Sequence, residues 1–196
     1  MSEPDPILGP RFGQAAAYAA EAHAHQARKC TQIPYVSHLF AVASIVLEMG
    51  GTEDGAIAAL LHDAVEDQGG EERRVDIEAT FGANVAAIVQ GCSAEAKEEG
   101  LTWRQRKERY LAHLAIAPQS VLTVSLADKV HNLRSIAADR REVGERVWKR
   151  FNAGRDEQGW YYRSLAAAYR GRVEPGSSLS RFVDELDRLL TEVWPD

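Results

Sequence analysis

Imidazoles and carboxylates stand at places where the surrounding sequence should bury only carbon. His38 directly precedes the apolar run Leu39 to Met49, His62-Asp63 interrupts the run Ala56 to Val65, and Asp128 interrupts a surface made by Val121, Leu122, Val124, Leu126, Val130 and Leu133. An ionised carboxylate buried without a partner is very costly, so Asp63 and Asp128 need cations or strong donors. A divalent metal is such a partner, and imidazole nitrogen with carboxylate oxygen suits manganese, iron or zinc. A site built from His38, His62, Asp63 and Asp128 leaves coordination positions free, and open positions imply catalysis. In His62-Asp63-Ala64-Val65-Glu66-Asp67, helical spacing puts the four polar side chains on one side of a helix, with Glu66 and Asp67 a turn beyond the ligands. Asp128 and Asn132 stand four apart, so anything held by Asp128 also lies near Asn132.

Each of these residues taken alone has a plainer reading. A single histidine such as His38 beside an apolar face is more often a hydrogen-bonded core residue, and adjacent His-Asp is common by chance. Glu66-Asp67 beside Gly69-Gly70 reads by itself as a solvated helix end or turn. The conjunction of all of them favours the metal site.

The elements that must position these residues are helices. Alanine and leucine recur at helical spacing, and runs of alternating β-branched residues are few, which predicts an all-α fold. A first helix is expected from about Phe12 to Arg28, then a loop from Cys30 to Pro34, because a proline disfavours helix at the residue before it. The next helix runs from Tyr35 to Met49 and stops at Gly50-Gly51. Thr52 offers an N-cap for a helix through Ile57, Leu60 and Leu61 to His62-Asp63. Two shorter helices flank Gly82, a polar loop lies between Ser93 and Thr102, and a charged helix covers Trp103 to Ile116. Pro118 opens the central helix that carries Asp128. Helices around Arg141 to Phe151 and Glu157 to Tyr169 follow, and an amphipathic helix with Phe182, Leu186, Leu189 and Val193 closes the chain.

With 196 residues, 45% hydrophobic and 27% charged, the chain fits one ordinary soluble domain, read as a short tail over residues 1–11 and a domain over 12–196. The 29 acidic against 23 basic residues give a net charge of -6, which argues against broad binding to nucleic acid. No apolar run reaches bilayer-spanning length, so no membrane partner is expected. Met1-Ser2-Glu3-Pro4-Asp5-Pro6 does not resemble a signal peptide, and Cys30 and Cys92 form no paired motif, so a cytoplasmic location is expected. The oligomeric state stays open.

The chain resembles the HD-domain hydrolases, and among them the hydrolase domain of RelA/SpoT-type proteins and the stand-alone small alarmone hydrolases. The matching segments are Arg28-Lys29, Pro34-Tyr35-Val36-Ser37-His38, His62-Asp63-Ala64-Val65-Glu66-Asp67 and Leu126-Ala127-Asp128-Lys129-Val130-His131-Asn132-Leu133-Arg134. Resemblance is good from Phe12 to Asp139 and weaker beyond, where Trp160-Tyr161-Tyr162-Arg163 looks like a feature of stand-alone bacterial members. It implies a single-domain helical bundle binding Mn2+ and removing the 3′-pyrophosphate of guanosine tetra- or pentaphosphate, as in the stringent response. Carried over, His38, His62, Asp63 and Asp128 would bind the metal, and Glu66 and Asp67 would position or deprotonate water and return a proton to the leaving oxygen. Arg28, Lys29 and Asn132 would contact the nucleotide, with Lys107 and Arg106 adding charge. His131 is read as structural and Cys30 as incidental.

Between Lys29 and Pro34 the chain carries Cys30-Thr31-Gln32-Ile33, where better-known members have a shorter glycine-containing loop. Two rivals stay open. One is an HD phosphohydrolase acting on another nucleotide, such as an adenosine alarmone, a mononucleotide or a phosphorylated dinucleotide. The other is a module that binds alarmone without turnover, against which the intact Glu66-Asp67 pair argues.

Overall fold

The computed structural model describes residues 7–93 and 100–195, and among these every named element is helical. The first three helices carry the start of the core. Helix α1 spans Pro10–Ala22, α2 Val36–Glu48 and α3 Glu53–Leu61. Thr52 caps α3 as its sequence position predicts, its hydroxyl accepting from the Gly55 N–H at 3.2 Å. Every residue of α3 from Gly55 to Leu61 is buried, because α1, α2, α6 (Ala83–Cys92) and α8 (Gln119–Val143) enclose it. Helices α4 (Ala64–Asp67) and α5 (Gly70–Phe81) lie between α3 and α6, and α7 spans Trp103–Leu114. A 3-10 segment, Gly144–Arg150, then leads to α9 (Arg155–Arg170) and α10 (Ser180–Val193); α10 packs on α8, and α9 packs on α10 and α7.

Four boundaries differ from expectation. Helix α1 starts at Pro10, which takes the first-turn position where its missing N–H costs nothing. It ends at Ala22 rather than near Arg28. Residues 26–35 instead fold back on themselves: Ala27 bridges Pro34, Arg28 N–H donates to the Ile33 carbonyl at 2.8 Å, and Tyr35 N–H donates to the Gln26 carbonyl at 2.8 Å. Thr31, Ile33 and Pro34 all favour extended backbone, so this bridge satisfies the peptide groups that a longer helix would have used.

The helix expected to pass straight through His62-Asp63 breaks there, between α3 and α4. The segment expected around Arg141 to Phe151 is divided, because Gly144 takes a positive φ of 62° that ends α8. Most of the loop predicted between Ser93 and Thr102 lies outside the described residues. Where description resumes, Thr102 and Gln105 form a capping box that starts α7.

Candidate active site

The break after α3 decides how the site is assembled. Neighbouring residues on a continuous helix point about 100° apart. The turn at His62 and Asp63 lets both face one pocket, with His62 Nε2 3.0 Å from Asp63 Oδ2. Helix α2 brings His38 into the same pocket, its Nε2 3.2 Å from Asp128 Oδ1 and 3.8 Å from Asp63 Oδ2. His38, His62 and Asp128 are buried, and one ligand atom from each lies within 4.8 Å of the others.

The hydrogen bonds show which nitrogens face inward. His62 Nδ1 lies 2.8 Å from the Ala59 carbonyl, which only accepts, so Nδ1 donates. In a neutral ring Nε2 then carries a lone pair. That atom is buried with no hydrogen-bond partner and faces the carboxylates of Asp63 and Asp128. Lone pair against carboxylate is repulsive unless a proton or a metal ion lies between them. The electrostatics say the same for the metal-free chain. Burial alone would lower the His62 pKa, yet the two carboxylates hold it well above its usual value. Burial alone would raise the Asp128 carboxyl, but Lys129, His38 and His62 hold it well below the usual range. Asp63 is likewise pulled down by His62 against its own burial. Two imidazole nitrogens and two carboxylates converging in this way fit a divalent cation.

Further side chains hold the carboxylates in place. Tyr35 Oη donates to Asp63 Oδ2 at 2.5 Å, Asn132 Nδ2 donates to Asp128 Oδ1 at 2.5 Å, and Lys129 Nζ lies 2.9 Å from Asp128 Oδ2. Partners of this kind set the orientation of metal ligands and tune their affinity.

The acid pair separates. Glu66 lines the pocket, whose volume is about 160 Å³. Asp67 is exposed and accepts from Gln26 Nε2 at 2.8 Å.

Tyr35, Lys129 and Asn132 also line a second cavity of about 550 Å³, so the two spaces share a wall. A small pocket with several inward polar groups beside a roomier, partly aromatic one suits a small-molecule ligand. Arg28, Lys29 and Lys107 line this larger cavity. Arg28 Nη2 donates to Asn132 Oδ1 at 2.8 Å and its guanidinium lies 5.7 Å from the Tyr35 ring centroid. Lys29 Nζ donates to Asn152 Oδ1 at 3.3 Å, and Lys107 Nζ lies 4.6 Å from the Tyr161 ring centroid. Arg106 turns away, donating to the Leu101 carbonyl at 2.8 Å.

Several residues of the site escaped sequence reasoning. Tyr35 lies in the matching segment before His38 but was given no role, although it precedes His38 by three positions and so shares its face. Lys129 and His131 flank Asp128 on α8, and His131, read as structural, touches His38 through Nδ1 at 2.7 Å. Phe151 and Tyr161 come from segments with no ligand pattern. Cys30 is exposed, and Cys92 lines the small pocket with its thiol pushed by burial well above the usual range, which makes it a poor nucleophile.

The chain matches known proteins in sequence and in fold. The HD domain family matches residues 15–158. The bifunctional (p)ppGpp synthase/hydrolase SpoT of Escherichia coli (strain K12) is 34% identical over 143 residues, covering 70% of this chain and 20% of SpoT. The guanosine-3′,5′-bis(diphosphate) 3′-pyrophosphohydrolase MESH1 of Xenopus tropicalis is 38% identical over 126 residues, covering 63% of this chain and 68% of MESH1. Among solved structures, a protein of Listeria monocytogenes EGD-e superposes with a TM-score of 0.71 at 31% identity, over 81% of this chain and 99% of that one. A metazoan ortholog of SpoT that hydrolyses ppGpp superposes with a TM-score of 0.70 at 26% identity, over 96% and 97%. The chain thus spans about a fifth of the length of the SpoT relative it matches. With the family match running across the site and most of the chain, this protein belongs to the HD-domain family and is a homologue of SpoT and MESH1.

Proposed function

We propose that the chain is a Mn2+-dependent hydrolase that removes the 3′-pyrophosphate of guanosine tetra- or pentaphosphate, giving pyrophosphate with GDP or GTP. The observation that carries this reading is the shared wall of Tyr35, Lys129 and Asn132 between the ligand pocket and a cavity of about 550 Å³ lined by Arg28, Lys29 and Lys107. A substrate with phosphates at both ends needs charge at both ends. MESH1 of Xenopus tropicalis, named for this reaction, supports the choice of nucleotide. In this reading the domain covers residues 12–196, acts on a small nucleotide in the cytoplasm during the stringent response, and needs neither nucleic acid nor membrane. No helix among the described residues is long and apolar enough to cross a membrane.

His38, His62, Asp63 and Asp128 would hold the cation, which would supply Lewis acidity at the phosphate and acidify a water beside it. The protein does the rest. Glu66, at the pocket wall, takes the proton of the water as its oxygen bonds to the phosphorus nearest the ribose. The bond from that phosphorus to the 3′ oxygen breaks, and the oxygen leaves with a proton returned from the acid pair. Lys129 offsets charge at the neck between the two spaces, while Arg28 and Lys29 hold the part of the substrate that does not react. Binding energy at that remote end keeps the reacting end aligned.

A nucleotide panel tests the assignment. With Mn2+, kcat/KM for guanosine tetraphosphate should exceed that for its adenosine counterpart and for simple mononucleotides. Faster release of single phosphate from a mononucleotide would defeat it.

A further inference from the structure

Both histidines that face the cation site have their second nitrogen tied, but by different partners. His62 Nδ1 donates to the Ala59 carbonyl, a backbone atom that no substitution removes. His38 Nδ1 lies 2.7 Å from Nδ1 of His131, and the two rings are tilted at 41° with centroids 4.8 Å apart. A contact of that length between ring nitrogens holds one proton, so one Nδ1 donates and the other accepts. A cation held by the site decides which. His38 Nε2 lies 3.2 Å from Asp128 Oδ1 and 3.8 Å from Asp63 Oδ2, so Nε2 is the nitrogen offered to a cation and must keep its lone pair. The proton of neutral His38 is then on Nδ1, and His131 Nδ1 accepts it.

We propose that His131 is a positioning residue for the metal site: it fixes the Nδ1–H tautomer and ring direction of His38 and so holds His38 Nε2 toward the cation. The nitrogen left free by one hydrogen bond is the one that can ligate, which is how such partners act on metal-bound histidines. His131 stands three residues after Asp128, so α8 supplies a ligand and the support of a ligand on α2 from a single turn. His131 also lines the larger cavity, so one ring stands between the nucleotide space and the metal ligand. This inference rests on the metal-site part of the reading above and is independent of which nucleotide binds.

The test measures Mn2+ affinity by calorimetry after chelation, in wild type, His131→Phe and His131→Asn. Phenylalanine keeps a ring but offers no acceptor, whereas the asparagine Oδ1 lies close to where the histidine Nδ1 was. His131→Phe should weaken Mn2+ binding about 10- to 100-fold, and His131→Asn should recover most of the loss. Affinity unchanged in His131→Phe, or equally poor in both variants, overturns the proposal. Nitrogen-15 NMR of the wild-type Zn2+-loaded chain gives a reading that needs no variant to fold. It should show His38 Nδ1 protonated and His131 Nδ1 unprotonated, and the reverse assignment overturns the proposal. A wild-type chain that binds neither metal overturns the metal-site reading as well, whereas metal binding without His131 dependence sinks this inference alone.

Discussion

The ligand pocket draws His38 from α2, His62 and Asp63 from the corner after α3, and Asp128 from α8, all on helices packed in the core. The larger cavity draws Arg28 from the folded-back loop, Lys107 from α7, Phe151 from beyond the 3-10 segment and Tyr161 from α9. The first set comes from elements packed in the core, whereas the larger cavity combines residues of the core helices α8 and α9, such as Lys129, Asn132 and Tyr161, with the loop at residues 26–35 and the segment after α8. In the proposed function, the chemistry rests on the packed helices, and recognition of the nucleotide draws also on the loop and on α7.

Removing a ligand should break this comparison most severely. Asp128→Ala deletes the carboxylate that faces both histidines, so the chain should retain no metal and lose activity on the order of 10³-fold or more. Elemental analysis at saturating Mn2+ checks it, and Arg28→Ala should still hold one metal per chain. The next effect separates two neighbours. Glu66→Gln should lower kcat by about 10²- to 10⁴-fold with metal retained. Asp67→Asn should cost less, because Asp67 is held by Gln26 and lies outside the pocket lining. Wild-type rates in the double variant would remove the acid pair from the mechanism.

Proton competition should follow a defined sign. In the metal-free chain burial lowers the His62 pKa but Asp63 and Asp128 outweigh it, leaving it above 6.5. Its contribution to metal-free stability is therefore full below that value and fades as pH rises through the raised one. Metal binding needs the same nitrogen free, so Mn2+ affinity should strengthen over that rise by about tenfold per pH unit for one proton released. Titration at several pH values reads the slope, and a flat profile would contradict the protonated ring. On the cavity side, Arg28→Ala should raise KM roughly tenfold with little change in kcat, since Arg28 touches a part of the substrate that does not react. The smallest effect is structural. Thr52→Ala removes the cap of α3 and should cost about 1 kcal/mol in denaturant unfolding without changing ligand geometry.

The same division explains what could be read in advance. His38, His62, Asp63 and Asp128 stood out because polar groups inside apolar helical runs need a reason. The helices around them followed from apolar spacing, and Thr52 marked its cap. The break at His62-Asp63 was not visible, because local spacing there is compatible with a continuous helix and only the convergence of α2 and α8 shows the bend. Nor was the inward turn of Tyr35 or the contact between His38 and His131, which joins residues 93 apart in sequence. The cavity wall was least legible: Phe151 and Tyr161 look like ordinary helix-packing aromatics until the loop at residues 26–35 is seen to face them across the cavity.

The account depends most on hydrolysis at the 3′ pyrophosphate by a metal held in the ligand pocket. Phosphorus-31 NMR of guanosine tetraphosphate incubated with the purified chain tests this in one measurement. With Mn2+ it should show intact pyrophosphate and GDP in equal amounts, and with a chelator no products. Orthophosphate as the first product, or undiminished turnover in the chelator, would contradict it.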